Sequence, residues 1–410
     1  MWSLERVELK AKKICGDIGR DYSSPKKDDT IRKWSSEVAK EIAEQKPEFA
    51  VVHVQGLLSA QDPDYMGRVI LSGIMDTPEI NKQFESSLAF FDTRITGLGN
   101  LYMFRDASAV QHFDKYLNTG YRPLRVGHDH AVGRADSDGF IRNTFGEQYS
   151  NIHREFYRDD GTRDLSQQRT GFLLTRFRIH GKEMTFVNLN LHSVPFEDVN
   201  EIAEQPQVTK AAQKRVQEIE TLLKELEDEG LRDDAIIVGG AFNAQLHETD
   251  LLSYLARTQM VKAVAKKDDT GKVEAIEHFD RHGRNVTTVE RRRFDLHSIH
   301  DWFFRLGRGQ MVKKYNGELA PVTFKGHLKE ESVFFQPSRH YELNEESGKE
   351  EFMRTLCPAW ADRILYNERM DKLFRHDSFC ASGLYYGLVG EDVYIGQHKP
   401  VALHASICLK

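Results

Sequence analysis

An alternation of short apolar strands with amphipathic helices runs along this chain and limits the folds open to it. Ile31, Trp34, Val38 and Ile42 recur at three- and four-residue spacing with acids and lysines between them, the period of a helix that buries one face. Asp28 and Asp29 stand just ahead, where a cap is expected, and Pro47 ends the helix. Residues 49–54 (Phe-Ala-Val-Val-His-Val) then read as a buried strand. The pattern returns at Met184 to Leu191, an apolar, β-branched strand. Ala212, Val216, Ile219, Leu222, Leu223 and Leu226 mark one face of a long helix, and Gly230 sits where a helix ends. Ala235 to Val238 is a short buried strand running into Gly239 and Gly240, and Val401 to Leu409 is a final strand. No repeat and no Pro- or Ser-rich linker interrupts the series. The expectation is one α/β domain over residues 1–410 with a layered sheet core. Lys266 to Arg293 is dense in charge and reads as an exposed excursion, with Arg291, Arg292 and Arg293 on a solvated helix face.

Composition narrows the class of protein. A chain of 410 residues, 40% hydrophobic and 29% charged, can bury a large core. It contains no run of 18 apolar residues, so no transmembrane helix is expected, and Met1 to Arg6 has no apolar core of a secretory signal. The net charge of −6 argues against a nucleic-acid partner and against general attraction to anionic lipid, which leaves only a local basic pocket to be argued from named residues. Cys15, Cys357, Cys380 and Cys408 show no metal spacing and read as free thiols of a reducing cytosol. Cys408 stands third from the last residue, outside a prenylation box. The expected location is cytoplasmic, with contact to a membrane limited to its periphery.

The most specific stretch is Cys357-Pro358-Ala359-Trp360-Ala361-Asp362-Arg363-Ile364-Leu365. It resembles the P-A-W-C-D-R-I-L signature of inositol-polyphosphate 5-phosphatases, with Ala361 for the signature cysteine. Four further stretches resemble the same family in the same chain order. Residues 47–56, ending in Gln55-Gly56, resemble the strand that ends in Q-E. Val187-Asn188-Leu189-Asn190-Leu191 resembles V-N-x-H-L, Gly240-Ala241-Phe242-Asn243 resembles G-D-F-N, and Gly396 to Val401 resembles D-H-K-P-V. Length and spacing resemble the type I enzymes, which act on soluble inositol phosphates. The resemblance implies a four-layer α/β sandwich of the endonuclease/exonuclease/phosphatase type, with the active site at one edge of two packed sheets.

Hydrolysis of a phosphomonoester needs a divalent cation, a base for water and donors for the developing charge. The resemblance implies Mg²⁺ as cofactor, and Mg²⁺ demands oxygen ligands. Gly56 stands where the family has its metal-binding glutamate, and Ala241 where it has the aspartate that activates water. Gln397 replaces a third acid, Asn190 a phosphate-contacting histidine, and Gln245 an arginine near the substrate. Asn243 and the pair Asp362 and His398 keep the family's residue types, and Arg363 and Lys399 stand beside them as expected substrate contacts with Asn190 and His192. His192 lies two residues beyond the missing histidine, on the same strand face, and is a candidate replacement. Asp17 takes the place of the family's first asparagine. It reads either as a metal ligand or as a turn-forming acid beside Gly16 and Gly19.

The resulting expectation is a catalytically impaired type I homologue whose cleft binds an inositol phosphate or a phosphoinositide headgroup without depending on Mg²⁺. Two alternatives stand: an active Mg²⁺-dependent hydrolase of inositol 1,4,5-trisphosphate and inositol 1,3,4,5-tetrakisphosphate with a rebuilt site, and a scaffold for an unidentified protein partner with no ligand in the cleft.

Overall fold

The computed structural model describes residues 7–18, 27–114, 120–133, 140–144, 170–193, 209–246, 262–297, 300–306, 327–344, 346–374, 384–390, 393 and 396–409. Among these, a seven-stranded sheet runs in the spatial order Tyr385–Leu388, Val401–Leu409, Val7–Asp17, Phe49–Gln55, Leu98–Phe104, Ser86–Asp92, Gly127–Gly133. An eight-stranded sheet places Leu328–Glu330, Asp362–Asn367, Ala235–Ala241, Lys182–Asn190, Gly171–Ile179, Val110–Phe113 and Tyr121–Pro123 in order, with Phe140–Thr144 also on Gly171–Ile179.

Side chains of alternate residues along a strand go to opposite faces, so each strand feeds two cores. Cys15, Phe49, Val51, Tyr102, Phe186, Ile237, Ile364 and Val401 pack into one core between the sheets. Ile14, Val52, Val54 and Leu101 face the other way, against Trp34, Val38 and Ile42 of the helix Lys27–Gln45 and Ile70 of the helix Pro63–Met75. Val187, Leu189, Ile236 and Val238 cover the second sheet's outer face with Ile219, Leu222 and Leu226 of the helix Lys210–Asp228. Helix, sheet, sheet, helix is the four-layer α/β sandwich of the endonuclease/exonuclease/phosphatase type. The sheets approach closely because Gly239 lacks a side chain: a Cβ there would lie 2.5 Å from the sulfur of Cys15 on the facing strand.

Three local expectations are corrected. The first helix begins at Lys27, so Asp28 and Asp29 lie inside its first turn, where acids meet the positive end of the helix dipole, and not ahead of it. The charged stretch from Lys266 is a four-stranded sheet of Lys262–Lys267, Val273–Phe279, Asn285–Glu290 and Arg293–Asp295. Arg291 and Arg292 form the turn between its last two strands and Arg293 opens the final one, so the three arginines share no helix face. Cys15 and Cys357 are buried and free, whereas Cys408 is disulfide-bonded. Cys380 lies outside the described residues. Cysteine spacing along a chain does not reveal which sulfurs the fold brings together. No helix among the described residues is long and apolar enough to cross a membrane.

Candidate functional site

Strand register gathers the sequence motifs at one edge. Asp17 pairs with Gln55 in the first sheet, and Asn190 pairs with Ala241, which pairs with Asp362, in the second. All five share the parity of inner-face residues on their own strands (Cys15, Val51, Phe186, Ile237 and Ile364), so their side chains start from the facing surfaces of the two sheets. His398 comes from the stretch leading into the last strand and bridges to Arg339.

The centre is a histidine between two carboxylates. His398 Nδ1 lies 2.9 and 3.1 Å from the two oxygens of Asp362, and its Nε2 lies 3.7 Å from Asp17 Oδ2. The side chains of all three are at most 1% exposed. The Asp362 carboxylate fixes the ring's orientation, and its main-chain N–H donates to Ser338 Oγ at 3.0 Å. Asp17 is therefore not a turn residue at the surface: it ends a buried strand with its carboxylate toward the imidazole.

The neighbouring flank is made of amides. Asn243 sits at φ 52°. Its Nδ2 donates to Asn190 Oδ1 at 3.1 Å and to the Leu191 carbonyl at 2.7 Å. Its Oδ1 accepts from Arg339 Nη1 at 2.6 Å, and the same guanidinium nitrogen donates to Ser193 Oγ at 3.1 Å. Gln397 Oε1 is 3.2 Å from His340 Nδ1. Burial, with the Arg339 cation beside it, holds His340 well below the usual histidine range, so its imidazole is neutral. Ala361 contributes its carbonyl, which accepts from the main-chain N–H groups of Phe242 and Asn243. Ala241, wholly buried, presents a methyl group where the resemblance implies a base. Gly56 caps the 3₁₀ turn Leu57–Ser59 in the left-handed conformation, at φ 77° and ψ 13°.

Two expected substrate contacts are corrected. Arg363 follows Asp362 along a strand, so it projects from the opposite face. There its guanidinium forms a double ion pair with Glu330, which also accepts from Tyr386 Oη at 2.8 Å. Lys399 is wholly buried and bound to Glu350, with its ammonium 4.9 Å from the centre of the Tyr341 ring. Both cations are used inside the protein. His192 is half-buried, with its main-chain N–H on Glu218 at 2.8 Å and its carbonyl on Arg215 at 2.9 Å. Gln245 Oε1 accepts from Arg215 at 3.5 Å. Arg339 is the site residue that sequence reasoning missed. No motif quoted for the resemblance reaches it, and only the bridges to Ala359 and His398 bring it to the edge.

A second polar layer lies below the site, between the sheets. Asn188 Nδ2 donates to the carbonyls of Val54 and Gly99 and to Asn100 Oδ1, at 3.1, 3.1 and 2.8 Å. Gln55 Nε2 donates to Asn188 Oδ1 at 2.6 Å. The chain continues through Asn100, Tyr102 and His53 to Lys13, whose ammonium lies 2.7 Å from His53 Nδ1.

Fold and edge together define the class: an endonuclease/exonuclease/phosphatase-type sandwich with a buried aspartate–histidine pair at one edge of its sheets. Within that class the chain resembles the type I inositol-polyphosphate 5-phosphatases along nearly its whole length. It is 23% identical over 405 residues to human inositol polyphosphate-5-phosphatase A, covering 95% of this chain and 91% of that protein. No protein-family model matches. Among solved structures, the inositol polyphosphate 5-phosphatase domain of SPsynaptojanin, crystallised with inositol (1,4)-bisphosphate and calcium, is 12% identical over 99% of this chain and 86% of that one, with a TM-score of 0.48. A point mutant of Cimex nitrophorin, crystallised as its ferrous NO complex, is 13% identical over 98% of this chain and 99% of that one, with a TM-score of 0.50. The likeness to the nitrophorin is one of fold alone, and function has to be argued from the site.

Proposed function

We propose that this chain is a catalytically impaired inositol-polyphosphate 5-phosphatase homologue whose edge cleft binds inositol phosphates or phosphoinositide headgroups. The observation that carries the reading is the Asn190–Ala241–Asp362 ladder. It puts a methyl group where a base is needed, between the amide of Asn190 and the carboxylate of Asp362, and Gly56 supplies no side-chain carboxylate. Loss of a single transition-state donor typically costs about 3–4 kcal/mol. Here base and metal ligand are missing together, so turnover falls to background. Anion recognition keeps Arg339, held toward the site by Asn243 and Ser193, and the imidazole of His398. Charge-assisted hydrogen bonds from such groups are short and about twice as strong as neutral ones.

Two measurements test this reading. Phosphate release from inositol 1,4,5-trisphosphate in Mg²⁺ is expected at background, and calorimetric titration of the same compound is expected to show binding that weakens about tenfold or more in Arg339→Gln. Robust phosphate release, or titration without heat of binding, would refute it. A second reading, an active hydrolase with a rebuilt site, is favoured by the Asp17 carboxylate beside His398, and the release assay separates the two. The scaffold alternative, with no ligand in the cleft, predicts the silent titration.

A further inference from the structure

The resemblance implies Mg²⁺, and the donor set at this edge does not suit that ion. Mg²⁺ is bound through carboxylates and water in near-ideal octahedral oxygen geometry. The position of the expected glutamate is Gly56, in a left-handed turn. Both oxygens of Asp362 are turned to His398 Nδ1, so the donors left near the edge are the Asp17 carboxylate, the outer nitrogen of His398 and the Gln55 amide oxygen.

Three independent features of these groups suit a different kind of cation. First, Asp17 Oδ2 and His398 Nε2 are 3.7 Å apart. Two donors at about 2.1 Å from one ion lie at most about 4.2 Å apart, so a single cation can hold both. Second, the other ring nitrogen of His398 is 2.9 Å from Asp362 Oδ2. A carboxylate behind a ligating imidazole fixes its orientation and raises its basicity, and such partners accompany metal-bound histidines almost without exception. Third, Gln55 Oε1 is wholly buried and has no hydrogen-bond partner among the described residues. The network fixes which atom this is. Three carbonyl oxygens surround Asn188 Nδ2, so Asn188 Oδ1 must face Gln55, and Gln55 must turn its NH₂ group to it. The Gln55 carbonyl oxygen is left over, on the strand paired in register with Asp17 and from the same inner face. A buried polar atom without a partner is costly, and a cation would satisfy it.

We infer that Asp17, His398 and Gln55 form a binding site for a first-row transition-metal dication, with Asp362 as the positioning carboxylate behind His398. Imidazole as a ligand favours ions later in the series over Mg²⁺. The inference deepens the reading of this edge as the ligand cleft and rests on it for location only. It needs no turnover, since a single metal with no base at position 241 does not restore hydrolysis.

The probe is Co²⁺ added alone to the intact chain, with no inositol phosphate, so that failure of metal binding and failure of headgroup binding stay distinguishable. One equivalent is expected to bind, to develop visible d–d absorption, and to give a paramagnetically shifted imidazole N–H resonance, while Mg²⁺ at equal concentration gives no heat of binding. Asp17→Asn and His398→Gln are each expected to lose Co²⁺ affinity at least tenfold, and Asp362→Asn between 10- and 100-fold. Circular dichroism and an unchanged urea midpoint show that each variant is folded. Should a variant fail to fold, the shifted imidazole resonance of the unaltered protein decides the matter. Mg²⁺ binding as tightly as Co²⁺, no shifted imidazole, or full Co²⁺ affinity in folded Asp17→Asn would overturn the assignment.

Discussion

The two flanks of the motif-bearing edge differ in chemistry while sharing one framework. On one flank Asp362 and His398 keep an ionisable pair and Asp17 adds a carboxylate. On the other, Asn190, Ala241, Asn243 and Gln55 offer amides and a methyl group, with Gln55 tied into a buried hydrogen-bonded layer that descends to Lys13. The first flank can still exchange protons or hold an ion. The second, apart from the Gln55 carbonyl oxygen, can only shape the edge. Strand register is intact on both, so what separates the flanks is side-chain chemistry and not a collapse of the fold.

The sharpest test of that division concerns a charge beside the ionisable flank but on the opposite strand face. Arg363→Met would leave Glu330 buried with Tyr386 as its described hydrogen-bond partner. Breaking a buried pair in this way typically costs about 3–5 kcal/mol. The denaturant midpoint should drop accordingly, with inositol-phosphate affinity of the folded fraction unchanged. A variant that keeps its stability and loses affinity would return Arg363 to the cleft.

The next effect lies in the layer beneath the amide flank. Burial pushes the Lys13 ammonium down from 10.5 to about 8. Between those values the unfolded chain holds a proton that the folded chain does not, so stability rises with pH over that window and is lost as pH falls through about 8. Summed over the window this amounts to about 3 kcal/mol. Urea unfolding at pH 8 and at pH 10 should show about 2 kcal/mol of that gain, and Lys13→Met should remove it. An unchanged slope in the variant would mean that Lys13 is not the titrating group.

The smallest effect concerns the lost acids. At φ 77° an L side chain is disfavoured by about 1–2 kcal/mol, so Gly56→Glu should destabilise the fold by roughly that amount. Neither Gly56→Glu nor Ala241→Asp alone should raise phosphate release above background, because metal and base act as a unit. Release from either single variant would show that the amide flank is less depleted than its residues imply.

The strand–helix alternation, the apolar faces at 212–226 and the signature ending in Asp362-Arg363-Ile364-Leu365 were legible in the chain itself, because they depend on local periodicity and residue type. So were Gly56, Ala241 and Gln397 at the positions where the resemblance implies acids. The sequence also placed Arg363 and Lys399 in the cleft by adjacency to Asp362 and His398, and adjacency misleads at a strand. Along the strand of Asp362, period-two alternation sends Arg363 to the opposite face, where Glu330 waits, and Lys399, just ahead of the last strand, turns to Glu350. Asp17 read more readily as a turn acid than as a ligand until the fold brought it to His398. Arg339 and the left-over oxygen of Gln55 carried no local signal, since both acquire meaning from partners 96 to 146 residues away. Residue identity and local period set the layers and the losses. Which charges meet at the edge was decided by register between distant strands, a property that no short stretch of chain contains.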